Sequence, residues 1–135
     1  MEPIQSKKET AKKTILDSNF DEAITILTAL LKENPDDTDL KSYLAIALAQ
    51  TGNFNESLEI FTELVKISEK EAHHFNYGLI LALTKDYSNS IKILNEILEK
   101  NPKNLLAWKN LGELYSRIGD DHKANICKMN SRLKE

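Results

Sequence analysis

Asn19-Phe20-Asp21-Glu22-Ala23, Asn53-Phe54-Asn55-Glu56-Ser57, Asp86-Tyr87-Ser88-Asn89-Ser90 and Asp120-Asp121-His122-Lys123-Ala124 are four versions of one phrase. It returns after 34, 33 and 34 residues. An Asn or Asp opens each copy and a small Ala or Ser closes it. A period of this length marks stacked supersecondary units, none of which can bury its apolar face alone. The opening Asn or Asp suits the start of a helix, where its side-chain oxygen can accept a first-turn amide hydrogen. Gly52 and Gly119 precede two copies, and Ser18 and Lys85 stand in the same place before the others. That place predicts positive φ, at a cost of roughly 1 kcal/mol for the two non-glycine residues. The small Ala23, Ser57, Ser90 and Ala124 are expected to let paired helices approach closely.

Outward from the phrase, apolar residues recur at three and four. Leu40, Leu44, Ala47 and Leu48 share one stripe; Leu58, Phe61, Leu64 and Val65 share another; Ile91, Leu94, Ile97 and Leu98 a third. This is a helical period and not a strand's alternation. It predicts helices near 5–17, 21–33, 38–51, 55–67, 70–84, 88–100, 105–118 and 122–133. Between pairs, Asn34-Pro35-Asp36-Asp37 and Asn101-Pro102-Lys103-Asn104 occupy the same place in the unit. Proline stops one helix there, and Asp37 or Asn104 caps the next. The middle junction has no proline, and Ser68 with Glu71 forms a capping-box spacing that predicts a helix start. The fold class is therefore all-α: a solenoid of four helix-turn-helix repeats at about 4–37, 38–70, 71–104 and 105–135, one domain in all.

Composition agrees and narrows the function. Of the 135 residues, 41% are apolar, enough for a core, and the net charge of −3 lacks the basic footprint of a nucleic-acid binder. Lys7, Lys8, Lys12 and Lys13 alternate with acids and read as a solvated helix face. The first residues have no apolar leader core, and no stretch approaches the roughly 18 apolar residues of a membrane span. Cys127, the single cysteine, has no intrachain disulfide partner, so a cytoplasmic setting is the simplest expectation. His73 and His74 are adjacent and point about 100° apart on a helix, and His122 and Cys127 do not share a face. No metal site, phosphate loop or nucleophile motif is expected, and hence no enzyme activity and no cofactor. The acid pairs Asp36-Asp37 and Asp120-Asp121 are explained by helix starts.

Trp108, Leu111, Gly112 and Tyr115, followed by Gly119 and Ala124, resemble the tetratricopeptide repeat signature. His74, Tyr77, Gly78, Leu81, Ser90, Leu94, Ile97 and Pro102 repeat it with conservative changes. Leu44, Ala45, Leu48, Ser57, Phe61 and Leu64 form a second unit, and Ala11, Ala23, Leu27, Leu30 and Pro35 a weaker first one. The resemblance implies a right-handed superhelix. Trp108 and Tyr115 are expected to wedge between helices, with Gly112 allowing close approach. Lys7, Thr10 and Thr14 in the first helix, and Lys128 and Ser131 in the last, replace expected apolar residues. Polar outer faces of that kind suit terminal repeats, so a complete four-repeat array is expected.

The resemblance also implies a concave groove, lined by the first helix of each pair, that holds a peptide or helix of a partner protein. Mapped onto this chain, its residues are Lys12, Tyr43, Ile46, Phe75, Asn76, Leu79, Leu83, Lys109, Asn110, Glu113 and Arg117, with Lys8, Ile15, Leu16, Ser42, Ala49, Ala82 and Ser116 also on that face. Asn76 and Asn110 are equivalent, and their amides suit hydrogen bonding to a peptide backbone. The basic clamp that some family members use for acidic chaperone tails is not assembled on these groove helices, so an acidic terminal carboxylate is not the expected ligand. The expected role is a protein-interaction adaptor, monomeric or weakly homo-oligomeric, without nucleic-acid binding or membrane insertion. The alternatives are a client-specific chaperone like those of type III secretion, and a structural self-assembly unit.

Overall fold

The computed structural model describes residues 2–132. They form eight α-helices, with no strand among the described residues. The helices are α1 (Ile4–Leu16), α2 (Phe20–Glu33), α3 (Thr38–Gln50), α4 (Phe54–Ile67), α5 (Glu71–Leu83), α6 (Tyr87–Lys100), α7 (Leu105–Arg117) and α8 (Asp121–Arg132). Their bounds match the expected ones to within one residue; the expected last residue of α8, 133, lies outside the described residues. Helices of this length are marginal alone and must pack. The chain divides between Glu69 and Lys70 into two compact units.

In the first unit α2 packs on α1 and α3, and α3 on α4. Ala11, Ala23, Leu27, Leu30, Leu40 and Ala47 form its buried centre, with Tyr43 and Leu44 packed against it. Phe61 and Leu64 bury the inner face of α4. Each such large side chain contributes roughly 1.5–3 kcal/mol through burial. In the second unit α6 lies between α5 and α7, and α8 packs on α7. Leu94, Ile97, Leu98, Ala107, Leu111, Leu114 and Cys127 form its core, and Phe75, Trp108 and Tyr115 pack against it.

The repeated phrase has a more specific role than a side-chain cap. Ser18, Gly52, Lys85 and Gly119 all have positive φ, between 62° and 86°. The residue after each turns its N–H back across the end of the preceding helix. Asn19, Asn53, Asp86 and Asp120 donate to the carbonyls of Thr14, Leu48, Leu81 and Tyr115 at 2.8–3.0 Å. This closure satisfies carbonyls that a helix end otherwise leaves orphaned. The side-chain caps differ from the sequence reading. Asp86 and Asp120 do accept an N–H, from Asn89 and Lys123 at 3.3 and 3.1 Å. Asn19 and Asn53 make no such bond; the Asn53 amide donates instead to the Thr51 hydroxyl at 2.8 Å.

The closing small residue is buried in all four copies. In two it does more than save space. The hydroxyls of Ser57 and Ser90 each donate, at 2.7 Å, to the carbonyls of Ala45 and Gly78 on the partner helix. At the outer junctions Asp37 and Asn104 accept the N–H groups of Leu40 and Ala107, as expected of caps. The expected capping box does not start α5. Its N-cap is Lys70, Ser68 ends α4, and the Glu71 carboxylate instead accepts from the amides of Asn101 and Asn104. The helix begins two residues later than a Ser68 cap requires.

Gly112 lets α8 approach α7. A Cβ placed there would stand 3.1 Å from Cys127 Cβ and 3.5 Å from the Ala124 carbonyl. Two expectations for α1 need correction. Thr14 is buried, not on an exposed face, and its hydroxyl is satisfied by the Thr10 carbonyl at 2.8 Å. Lys8 is not a solvated lysine: its ammonium pairs with Asp37 at 2.6 Å and Asp39 at 3.6 Å.

Candidate partner-binding surfaces

Within the second unit, α5, α6 and α7 enclose a groove of about 410 Å³. Leu79, Ala82 and Leu83 of α5 and Leu94 and Leu114 form its apolar part. Lys85, Asn110, Glu113 and Arg117 form its polar edge, and Tyr87 and Ser90 come from the start of α6. Local structure explains the arrangement. Residues 79, 82 and 83 share one face of α5 by helical spacing, as 110, 113, 114 and 117 do on α7. The positive-φ turn at Lys85 then swings Tyr87 toward the same space.

Six residues expected on the groove face line this groove: Leu79, Ala82, Leu83, Asn110, Glu113 and Arg117. Leu83 is 55% exposed, much for a leucine on a folded helix. The other expected residues of this unit lie elsewhere. Phe75 packs against the core, Asn76 is half-buried, and Lys109 is exposed outside the groove lining. Asn110 already donates to the Leu106 carbonyl at 2.8 Å, so its amide nitrogen is engaged in its own helix. Its carbonyl oxygen is the better placed group for an incoming N–H. Lys85, Tyr87 and Ser90 were not among the expected groove residues, all of which lie on the first helix of a pair. The aromatic just after a positive-φ turn was the available signal.

In the first unit Lys12 is exposed, Ile46 is half-buried and Tyr43 packs against the core. Ser42 and Ala49, expected on the groove face, are buried. The Ser42 hydroxyl has no hydrogen-bond partner. The Lys8–Asp37 pair joins α1 to the cap of α3, with both side chains under one-fifth exposed. The hydrogen bond to Asp37 holds the Lys8 ammonium above its ordinary value, against the opposing effect of burial. Burial pushes the Asp37 carboxyl up, but the Lys8 ammonium and the Leu40 N–H outweigh it and leave it below the usual range. Burial likewise raises the Cys127 thiol, which faces Gly112. Among the described residues no three His, Cys, Asp or Glu side chains are grouped to hold a metal ion. No described helix is long and apolar enough to cross a membrane.

Helix pairs of this period, closed by the same turn, match known proteins. A tetratricopeptide repeat profile covers residues 15–75 and a second one residues 93–125. The tetratricopeptide repeat-containing protein trd-1 of Caenorhabditis elegans is 30% identical over 110 residues, 80% of this chain but 13% of its own length. The photosystem I assembly protein Ycf3 of Prochlorococcus marinus is 26% identical over 113 residues, 76% of this chain and 65% of its own. The chain thus spans less than two thirds of both relatives. Among solved structures, the thermophilic TPR protein TTC0263 of Thermus thermophilus superposes with a TM-score of 0.83 at 20% identity, over 94% of this chain and 72% of that one. The chain belongs to the tetratricopeptide repeat family, and its all-α fold is that family's. Proteins built this way serve in general as protein-interaction modules.

Proposed function

We propose that the chain is a non-enzymatic adaptor that holds a short segment of a partner protein in the α5–α7 groove. The observation that carries this reading is the groove's composition: an apolar floor at Leu79, Ala82 and Leu83 beside an edge of Asn110, Glu113 and Arg117. An apolar side chain of the segment seats on the floor while the edge binds its backbone and polar groups. A floor that includes a leucine 55% exposed is surface that burial by a partner would stabilise.

Leu83→Asp is the cleanest test. It adds charge to the floor without opening a core cavity, and near the C-terminus of α5 it costs the helix only about 0.5 kcal/mol. Tagged wild type and variant are compared by co-purification and mass spectrometry, with thermal unfolding as a control. The expected result is a partner retained by wild type, lost by Leu83→Asp, and a melting temperature nearly unchanged. Equal capture by both would refute the groove as the site. One relative favours a second reading, in which the partner is an unassembled subunit: Ycf3 is named as an assembly protein. Capture of free subunits but not of finished complexes would distinguish it.

A further inference from the structure

The first unit carries a second groove, of about 440 Å³, on a surface that the sequence reading did not single out. Its apolar lining is Leu31, Pro35, Leu44, Ile60, Leu64 and Ile67, with Lys41 above it and Glu59 and Glu63 along its rim. Ile67 is 65% exposed. The second unit explains why the groove exists. Matching the start of α3 (Thr38) to the start of α7 (Leu105) pairs Leu31 with Leu98, Pro35 with Pro102, Lys41 with Trp108, Leu44 with Leu111 and Ile60 with Cys127. The turns agree as well: Asp37 donates to the Asn34 carbonyl, and Asn104 to the Asn101 carbonyl, both at 3.2 Å. In the second unit the Trp108 ring packs against the cluster that contains Leu98, Leu111 and Cys127. Its indole N–H donates to the Pro102 carbonyl at 2.8 Å. In the first unit the indole is replaced by Lys41, and the equivalent space is open.

The same substitution occurs one repeat earlier. Lys7 stands at that position in α1, over a groove of about 350 Å³ that includes Ile26 and Leu30, the counterparts of Ile60 and Leu64. The feature therefore follows the lysine and is not an accident of one helix. A lysine covers apolar surface with its stem but can swing aside, as a packed indole cannot.

We propose that the groove beneath Lys41 receives a tryptophan side chain of a partner protein, flanked by lysine or arginine. The molecule itself supplies the template for the indole: Leu31, Pro35 and Leu44 repeat Leu98, Pro102 and Leu111, with Ile60 in place of Cys127, and the Pro35 carbonyl stands where that of Pro102 accepts the Trp108 N–H. The charge of the rim selects the flanks. Glu56, Glu59 and Glu63 form an exposed acidic stripe along α4. Lys66 lies 3.2 Å from Glu63 but is itself 63% exposed, and so offsets little of that charge.

The test titrates acetylated, amidated Lys-Trp-Lys into the isotope-labelled full chain and follows the amide resonances of Leu31, Leu44, Ile60 and Ile67. Acetylated, amidated Lys-Ala-Lys is the control. The expected result is saturable shifts at these residues with Kd of about 1 mM or tighter, absent with the alanine peptide and weakened several-fold in Glu59→Lys. Lys41→Trp supplies the occupant from within the chain. It is expected to raise Tm by about 3 °C and to abolish the shifts. The proposal is overturned by no saturable shift in wild type, by equal shifts with the alanine peptide, or by unchanged shifts in a folded Lys41→Trp. It is overturned too if the same resonances move with protein concentration alone, which would assign the groove to a second copy. None of these outcomes bears on Leu83 and the α5–α7 groove.

Discussion

The α2–α3 junction and the α6–α7 junction are built on the same turn and are sealed in opposite ways. Around Pro102 the seal is apolar: Trp108 fills the junction and hydrogen-bonds the turn. Around Pro35 the filler is missing and the junction is tied by charge, through Lys8 to Asp37 and Asp39. Even the cap residues keep the contrast. Asp37 is held by an ammonium of α1, while Asn104 is held by the Glu71 carboxylate of α5. One backbone pattern thus accepts either solution, and the choice decides whether the junction is filled or left as a groove.

The largest break in this comparison comes from exchanging the fillers. Trp108→Ala is expected to destabilise the second unit by about 3 kcal/mol, the low end for an aromatic deletion because the ring is half-buried. Lys41→Ala is expected to change stability by less than about 0.5 kcal/mol. Urea unfolding of the two variants measures the difference, and equal losses would mean the two junctions are not distinct.

Next in size is the helix contact. Gly112→Ala forces a methyl to 3.1 Å from Cys127 Cβ and is expected to cost about 2 kcal/mol. Gly78, its counterpart one repeat earlier, has only ordinary contacts, nearest Ile93 Cγ2 at 3.4 Å. Gly78→Ala is expected to be neutral or to stabilise by up to about 1 kcal/mol through lower unfolded-state entropy. Thermal melts with opposite signs for the two variants would sharpen the account of α8's close approach.

Smaller than the loss at Gly112 is the effect of charge. Asp37→Ala removes both a cap and an ion pair and is expected to cost about 1–2 kcal/mol near neutral pH. The Asp37 carboxyl is held below its ordinary value. Its contribution is therefore complete above the unfolded value, about 4, and lost as pH falls through the folded one. Lys8 is held above its ordinary value. Its share is complete below about 10.4 and lost as pH rises through the folded value. Asp37→Asn keeps the cap chemistry without the charge, so the pH dependence should flatten at the acid end while most of the neutral stability remains. An acid limb identical to wild type would remove Asp37 from the explanation.

Much of this was legible in the residues because helix period, proline and glycine act locally. Eight helix positions, the positive-φ turns and the caps at Asp37 and Asn104 needed nothing beyond neighbouring residues. What the sequence hid depends on side-chain choice among alternatives. Nothing in Asn53 says that its amide will prefer Thr51 to the first turn of α4. Nothing in Lys8 distinguishes it from Lys12 until α3 brings Asp37 beside it. The candidate site divided the same way. Leu79, Leu83, Asn110, Glu113 and Arg117 followed from face arithmetic on α5 and α7. Lys85 came from the turn between helices and Tyr87 from the first residue of α6, and Ser42 and Ala49 were buried by packing that spacing alone does not reveal. The groove under Lys41 was visible in principle, since a lysine at the position of Trp108 is a legible departure.

The measurement that bears most directly on the central claim is a resonance map of the captured partner segment on the labelled full chain. Shifts concentrated at Leu79, Leu83, Asn110 and Arg117, and lost in Leu83→Asp with the melting temperature preserved, are the predicted result. Saturable binding that leaves those four resonances unmoved would contradict it.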